Sequence, residues 1–174
     1  MINGHKIYLV AAVDKKNGLG KKGTLAWRLK KEMAYFTKVT TKTADPEKQN
    51  AVIMGSTTWE SIPEKYRPLP ERKNIVLAFD ESYHAPGTTV ATSIKDAYQS
   101  IDTTIETVFI IGGASIYEQT IDLPETDGMY ITKINHDFEC DVFFPGISKE
   151  YSNITTLGKD EEKGIHFDYC LYEK

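Results

Sequence analysis

The chain has 174 residues, and 21 basic against 25 acidic side chains leave a formal net charge of −4. That length suits one domain with a real core, and the acidic balance weighs against a nucleic-acid binder, which shows a basic excess. Cys140 and Cys170 are too few and too distant for a disulfide framework or a thiolate metal site, and the four histidines are scattered, so no metal is expected.

Residues 7–13, Ile-Tyr-Leu-Val-Ala-Ala-Val, read as a strand buried on both faces, as in the middle of a parallel or mixed sheet. The run is too short to span a bilayer. Residues 1–13 carry no basic leader and no small-residue cleavage site, so a cytoplasmic protein is expected. Ala11 and Ala12 leave room near the strand end for a flat group, or for close helix packing. Residues 14–24 hold three glycines and four lysines and read as a mobile loop, either a lid or plain surface punctuation. Gly18, Gly20 and Gly23 do not make the dinucleotide fingerprint, because no helix opens straight after the strand.

Residues 25–39 have helical periodicity. Leu29, Met33, Phe36 and Val39 fall on one arc, and Lys30, Lys31, Ala34, Thr37 and Lys38 on the other, giving an apolar inner face and a basic outer one. Glu32 breaks this pattern, since it lies on the apolar arc. A carboxylate buried there must be neutralised, paired or given a ligand, and desolvation raises its pKa. That makes it a candidate proton donor or ligand clamp near neutral pH. The alternative is an ordinary first-turn Glu facing the helix dipole.

Residues 40–49 read as a loop, and 50–55 as a second buried strand ended by Gly55. Ser56, Thr57, Thr58 and Trp59 open a short helix whose hydroxyls suit capping or an anion. In the Pro-rich loop that follows, Arg67 reads as a surface residue and Arg72 as the better candidate for a bidentate carboxylate clamp. Strands are expected at 74–78, 88–91, 106–111 and 128–134, with a helix at 94–101. Ile111 runs into Gly112-Gly113-Ala114-Ser115 and then a helix through Ile116, Tyr117 and Thr120. A glycine pair there admits close approach of a ligand, or tight packing. Residues 139–145 form a turn segment, and 151–157 and 166–172 two final strands. The order predicts a single α/β domain over 1–174, with a mainly parallel sheet of about eight strands flanked by helices and an antiparallel C-terminal hairpin. No segment reads as an unpaired interface, so a monomer is expected.

These residues resemble the dihydrofolate reductase family along nearly the whole chain. The resemblance rests on Ala11-Ala12-Val13, Gly18-Leu19-Gly20, Trp27 and Glu32, then Val52-Ile53-Met54-Gly55 with Thr58-Trp59, and Ser61-Ile62-Pro63. It continues through Arg67-Pro68-Leu69-Pro70-Glu71-Arg72, Ile111 to Tyr117, Tyr130-Ile131-Thr132 and Asp141 to Pro145. It implies reduction of 7,8-dihydrofolate to tetrahydrofolate by hydride from NADPH, with dihydrofolate and antifolate-like molecules as ligands. Glu32, Trp27 and Thr132 would form the catalytic group. Glu32 would hold the pterin and assist protonation at N5, and Thr132 would hydrogen-bond its carboxylate.

Met33, Phe36, Ile62 and Leu69 would sandwich the substrate rings, and Arg72 would clamp the glutamyl tail. Val10, Ala11, Ile111 and Tyr117 would complete the substrate side. On the cofactor side the resemblance implies Ala12, the lid residues Gly18, Leu19, Gly20, Gly23 and Thr24, and Gly55, Ser56, Thr57 and Thr58. It adds Leu77, Ala78 and Phe79, and Gly112, Gly113, Ala114, Ser115, Ile116 and Tyr117, with a cis peptide between the two glycines.

The chain departs from the family pattern in two respects. Ala26 stands where a Pro usually precedes the Trp, which implies a less rigid lid hinge. The places where relatives hold the 2′-phosphate with cations read Ser56-Thr57, Ala78-Phe79-Asp80 and Ala91-Thr92-Ser93. NADH is therefore expected to be tolerated. Two other readings compete. A pyrimidine-type reductase of riboflavin synthesis would not be expected to carry the Trp27 to Glu32 spacing or Arg72. A non-catalytic nucleotide-binding module would need no buried carboxylate.

Overall fold

A computed structural model describes residues 1–174. The strands of the main sheet are β1 (Lys6–Val13), β4 (Gln49–Gly55), β5 (Arg72–Leu77), β6 (Thr89–Ala91), β7 (Ile105–Ile110), β8 (Gly128–Ile134), β10 (Asn153–Glu162) and β11 (Ile165–Glu173). Three short strands, β2 (Gly18–Lys21), β3 (Thr24–Leu25) and β9 (Val142–Phe143), form a second sheet. The helices are α1 (Lys30–Thr41), α2 (Ser56–Ser61), α3 (Ile94–Gln99) and α4 (Ala114–Thr120). None is long and apolar enough to cross a membrane.

The main sheet runs β10-β11-β8-β1-β7-β4-β5-β6. Every pair from β8 to β6 is parallel, and β11 and β10 add antiparallel at one edge. This is the expected α/β architecture. The central strands are apolar on both faces because each face carries a core. Leu9, Ile53, Ile75 and Ile110 pack with Ala97, Tyr98 and Ile121 on one side. Val10, Val52, Met54, Val76 and Phe109 pack with Trp59 on the other, partly roofed by Phe36 and Val39 of α1. A third cluster, Trp27, Leu29, Ile134, Phe167 and Tyr169, sits beside the start of α1.

Three local expectations are corrected. Residues 14–24 are not a featureless loop. The buried Asp14 carboxylate accepts the amides of Lys16, Gly18 and Phe138 at 2.7–3.0 Å. That knot folds the segment back, so that β2 pairs with both β3 and β9. Gly18 lies so close to Cys140 that a Cβ on it would sit 2.4 Å from the Cys140 Cβ. Second, α1 starts at Lys30, because Leu25 is taken up in β3. It runs on to Thr41, since Thr40 is fully buried and its hydroxyl donates to the Phe36 carbonyl at 2.8 Å. Third, no hydroxyl caps α2: its N-cap is Gly55.

Candidate active site

A cleft of about 490 Å³ opens at the carboxyl ends of β1 and β7, between α1 and α4. In parallel sheets this is where ligands sit, because the loops that leave the strands diverge there. Val10, Ala11 and Ala12 form its floor, and Ile111, Gly112, Gly113 and Ala114 one wall. Glu32, Met33 and Phe36 of α1 form the opposite wall, with Leu69 and Arg72 also lining it. Thr57 and Thr58, Tyr117, Thr132, and Leu19, Gly20, Gly23 and Thr24 of the β2–β3 hairpin complete the enclosure.

The apolar arc of α1 is divided between this cleft, lined by Met33 and Phe36, and the core, where Leu29 and Val39 pack. Met33 is 55% exposed and Phe36 only half-buried, whereas Leu29, one turn earlier, is buried in the third cluster. An uncovered apolar wall opposite a few polar groups is the chemistry of a small-molecule site. Glu32 is the exception on that wall. It is 9% exposed, and burial raises its pKa from the ordinary 4.5 to about 7. No hydrogen bond joins it to Thr132. Thr132 is buried in β8 and shares the cleft, but the two side chains come from different walls, sheet and helix.

Arg72 is 7% exposed and no carboxylate pairs with it. Its Nε donates to the Pro70 carbonyl and its Nη1 to Thr40 Oγ1, both at 2.9 Å. These bonds fix the guanidinium plane at the cleft wall, and burial lowers its pKa. Arg67 is not the solvated surface residue expected. Its Nη1 donates to the carbonyls of Trp59 and Ile62, and its guanidinium lies 5.1 Å over the Trp59 ring, so it ties the loop to α2.

On the other wall the backbone itself is the lining. Gly112 has φ +130°, a conformation open to glycine, and the Gly112–Gly113 peptide is cis. A Cβ on either glycine would lie 3.4 Å from Thr58 Oγ1, so the bare backbone leaves the space beside it open. Gly55 and Gly113 are the N-caps of α2 and α4, and neither end is closed by a side chain. Unclosed amides at two helix starts beside a glycine-lined wall fit the anionic and flat parts of a dinucleotide. Tyr117 OH donates to the Val10 carbonyl at 2.6 Å and locks this wall to the floor.

Several expected residues stand outside the lining. Trp27 is buried in the third cluster, 5.2 Å from the Phe138 ring, with no partner within the chain for its Nε1. Gly18 is in the Asp14 knot, and Gly55 abuts Ile116 of α4, where a Cβ would come within 3.2 Å. Ser56 begins α2, Ile62 ends it and packs on the second cluster, and Ser115 is exposed on α4. Leu77 and Ala78 are buried at the end of β5, whereas Phe79 is fully exposed. Tyr35, Thr37, Ser61, Lys21 and Val142 line the cleft without having been expected to. For Tyr35 a signal existed, since it lies three residues after Glu32 on the same helix side.

A family model described as dihydrofolate reductase matches residues 6–174. The chain belongs to the dihydrofolate reductase family. It is 39% identical to a dihydrofolate reductase of Drosophila melanogaster, covering 95% of this chain and 96% of that one. It is 43% identical to one of Heliothis virescens, covering 97% of each. Its fold matches the solved Schistosoma mansoni dihydrofolate reductase with a TM-score of 0.83 at 32% identity, over 97% of this chain and 98% of that one.

The buried carboxylate makes stability depend on pH. Below about pH 4.5 Glu32 is protonated in both folded and unfolded chains. Between that value and about 7 the unfolded chain loses this proton while the folded protein keeps it, so the favourable contribution drains away as pH rises. Glu32→Gln removes that dependence. Urea unfolding of the ligand-free proteins is expected to show the variant gaining on the wild type by up to roughly 3 kcal/mol from about pH 4.5 to about pH 8, with no such gain below that range.

Proposed function

We propose that this cleft reduces 7,8-dihydrofolate to 5,6,7,8-tetrahydrofolate with NADPH as the hydride donor, and that Glu32 governs the accompanying proton. The observation that carries this reading is a buried carboxylate without a counter-ion, set in an uncovered apolar wall and accompanied by a buried arginine. When bound, the nicotinamide supplies the hydride. Ala11 and Ala12 make the floor small enough for flat rings, and the bare Gly112–Gly113 backbone with Ala114, Thr57 and Thr58 would hold the dinucleotide. Met33, Phe36 and Leu69 would grip the pterin and the ring beyond it. Glu32 would bind the pterin's amino and ring N–H groups as hydrogen-bond acceptor. Poised near neutral pH, it would also favour the proton on N5 that hydride transfer requires. Thr132 and Trp27 would act from the margin, Thr132 through the shared cleft and Trp27 by seating the start of α1.

Arg72 would clamp the carboxylate of the glutamyl tail. Its guanidinium is already desolvated and oriented, so a charge-assisted bond there is strong. Purified protein is expected to consume NADPH absorbance only when dihydrofolate is added, and an antifolate should block it. Arg72→Leu is expected to weaken dihydrofolate binding by about 2–4 kcal/mol, roughly 30- to 1,000-fold, while NADPH affinity hardly changes. Calorimetric titration of each ligand checks this, and parallel loss of both affinities would rule the clamp out.

Discrimination against NADH should be weak. At the ends of β5 and β6 the polar groups are engaged with other groups of the chain itself. Thr92 donates from its backbone amide and its hydroxyl to Asp96 Oδ2, at 3.2 and 3.1 Å, and Ser93 Oγ accepts the Asp96 amide at 3.0 Å. Asp80 follows the exposed Phe79 and accepts the Ser82 amide. Two acids there disfavour a 2′-phosphate, and Lys95 of α3 and the lysines of residues 15–22 are the only substitutes for the missing cation. Steady-state kinetics with both cofactors is expected to give a kcat/KM preference for NADPH of about a hundredfold or less, near 2.7 kcal/mol. A preference of several thousandfold would contradict this.

A further inference from the structure

α1 starts without a cap of its own. Leu29 before its first turn is apolar and offers no side-chain acceptor. The open amides are met from the far end of the chain. Lys30 N donates to Glu162 Oε2 and Lys31 N to Glu162 Oε1, each at 2.9 Å. A single carboxylate at the tip of the β10–β11 hairpin thus closes the helix start with both oxygens. The same hairpin holds α1 at further points. Lys31 Nζ donates to the Glu161 carbonyl at 3.0 Å and lies 3.2 Å from Asp160 Oδ1. The Tyr35 ring stacks on Tyr169 with centroids 3.8 Å apart. The residue that follows the two capped amides is Glu32.

We infer that Glu162 is a positioning residue for the reaction: it caps the turn that carries Glu32, holds that side chain against the cleft, and favours its protonated form. The inference rests on the reading of Glu32 as the group that governs the proton. The amides of a helix start carry a partial positive charge that favours anions within the first turn. Glu32 is third in that turn and would feel it. Glu162 takes up two of these amides and sets a negative charge beside them. Its removal acts twice in one direction: the helix end turns more positive towards Glu32, and a slackened turn admits water. Both favour ionised Glu32.

The other ionisable groups around Glu32 are accounted for. Tyr117 of α4, Tyr169 of β11 and Tyr35 of α1 stand near it, and Lys21 of β2 and Arg72 of β5 line the same cleft. Arg28, Lys30 and Lys31 surround the helix start, faced by Asp160, Glu161 and Lys163 of the hairpin. Only Glu162 among them accepts the helix amides.

The test is a titration of the Glu32 carboxyl carbon by NMR in ligand-free, glutamate-labelled protein, the signal being assigned by its loss in Glu32→Gln. The wild type is expected to titrate near pH 7. Glu162→Gln is expected to lower that midpoint by about half a pH unit, and the pH profile of kcat should move with it. Glu161→Gln removes the same charge one residue away, where the side chain makes no bond to the helix, and should move the midpoint by less than half as much. A Glu162→Gln midpoint equal to the wild type's, even with a lower Tm, would overturn the inference and leave the role of Glu32 standing. An unmoved pH–rate profile in Glu32→Gln would overturn that role instead. Amide hydrogen exchange at Lys30 and Lys31 gives a check that needs no variant: slow exchange is expected, and rapid exchange at both would refute the cap.

Discussion

Glu32 enters the cleft from the first turn of α1 with its carboxylate desolvated and no cation of the chain paired with it. Burial lifts its pKa towards neutrality. Such a group stays buried and protonated only where the surrounding structure keeps it from swinging out to water, because its ionised form is costly in an apolar site and would otherwise seek solvent. Most of the architecture around α1 serves that restraint. Leu29 is buried with Trp27, Ile134, Phe167 and Tyr169, which anchors the helix start to β8 and β11. The C-terminal hairpin grips the same turn through Glu162 and stacks Tyr169 on Tyr35. At the other end, Thr40 is fully buried, and Asn50 Nδ2 donates to the Thr40 and Lys42 carbonyls, so the helix cannot slide along the sheet. The antiparallel strands at the sheet edge thereby contribute to the site without lining most of it.

Across the cleft the problem is the reverse: backbone must be left open, not filled. The glycine pair and the two helix starts behind Gly55 and Gly113 present backbone without covering side chains. Tyr117 fixes this wall to the floor through the Val10 carbonyl. Arg72 belongs to the same logic as Glu32. Both are ionisable groups held in place by the protein and left without an internal ion pair, so that a ligand meets them already desolvated and oriented.

Much of this was legible in the residues, and the failures have physical reasons. The buried strands were visible because a strand with a core on each face is apolar at nearly every position, as residues 7–13 and 51–55 are. Glu32 stood out because one acid interrupted an apolar arc. The start of α1 was misplaced because its cap comes from Glu162, 131 and 132 residues away, and no local signal marks it. The strands of residues 18–25 were missed for a similar reason: Asp14 and β9 create them, and glycine and lysine content speaks only of local freedom. Arg67 looked like surface because its partners are carbonyls and a ring face, which leave no pattern in sequence. The bond expected between Thr132 and Glu32 depends on side-chain reach across the cleft, which residue spacing does not encode.

The most direct measurement is the single-turnover rate of dihydrofolate reduction followed from about pH 5 to about pH 9 in the wild type and in Glu32→Gln. If Glu32 governs the proton, the wild-type rate holds at low pH and then falls about tenfold per pH unit above its pKa of about 7. Glu32→Gln is then slow at neutral pH and shows no break there. A Glu32→Gln enzyme that kept the break near neutrality, or ran at the wild-type rate at about pH 7, would contradict the role given to Glu32.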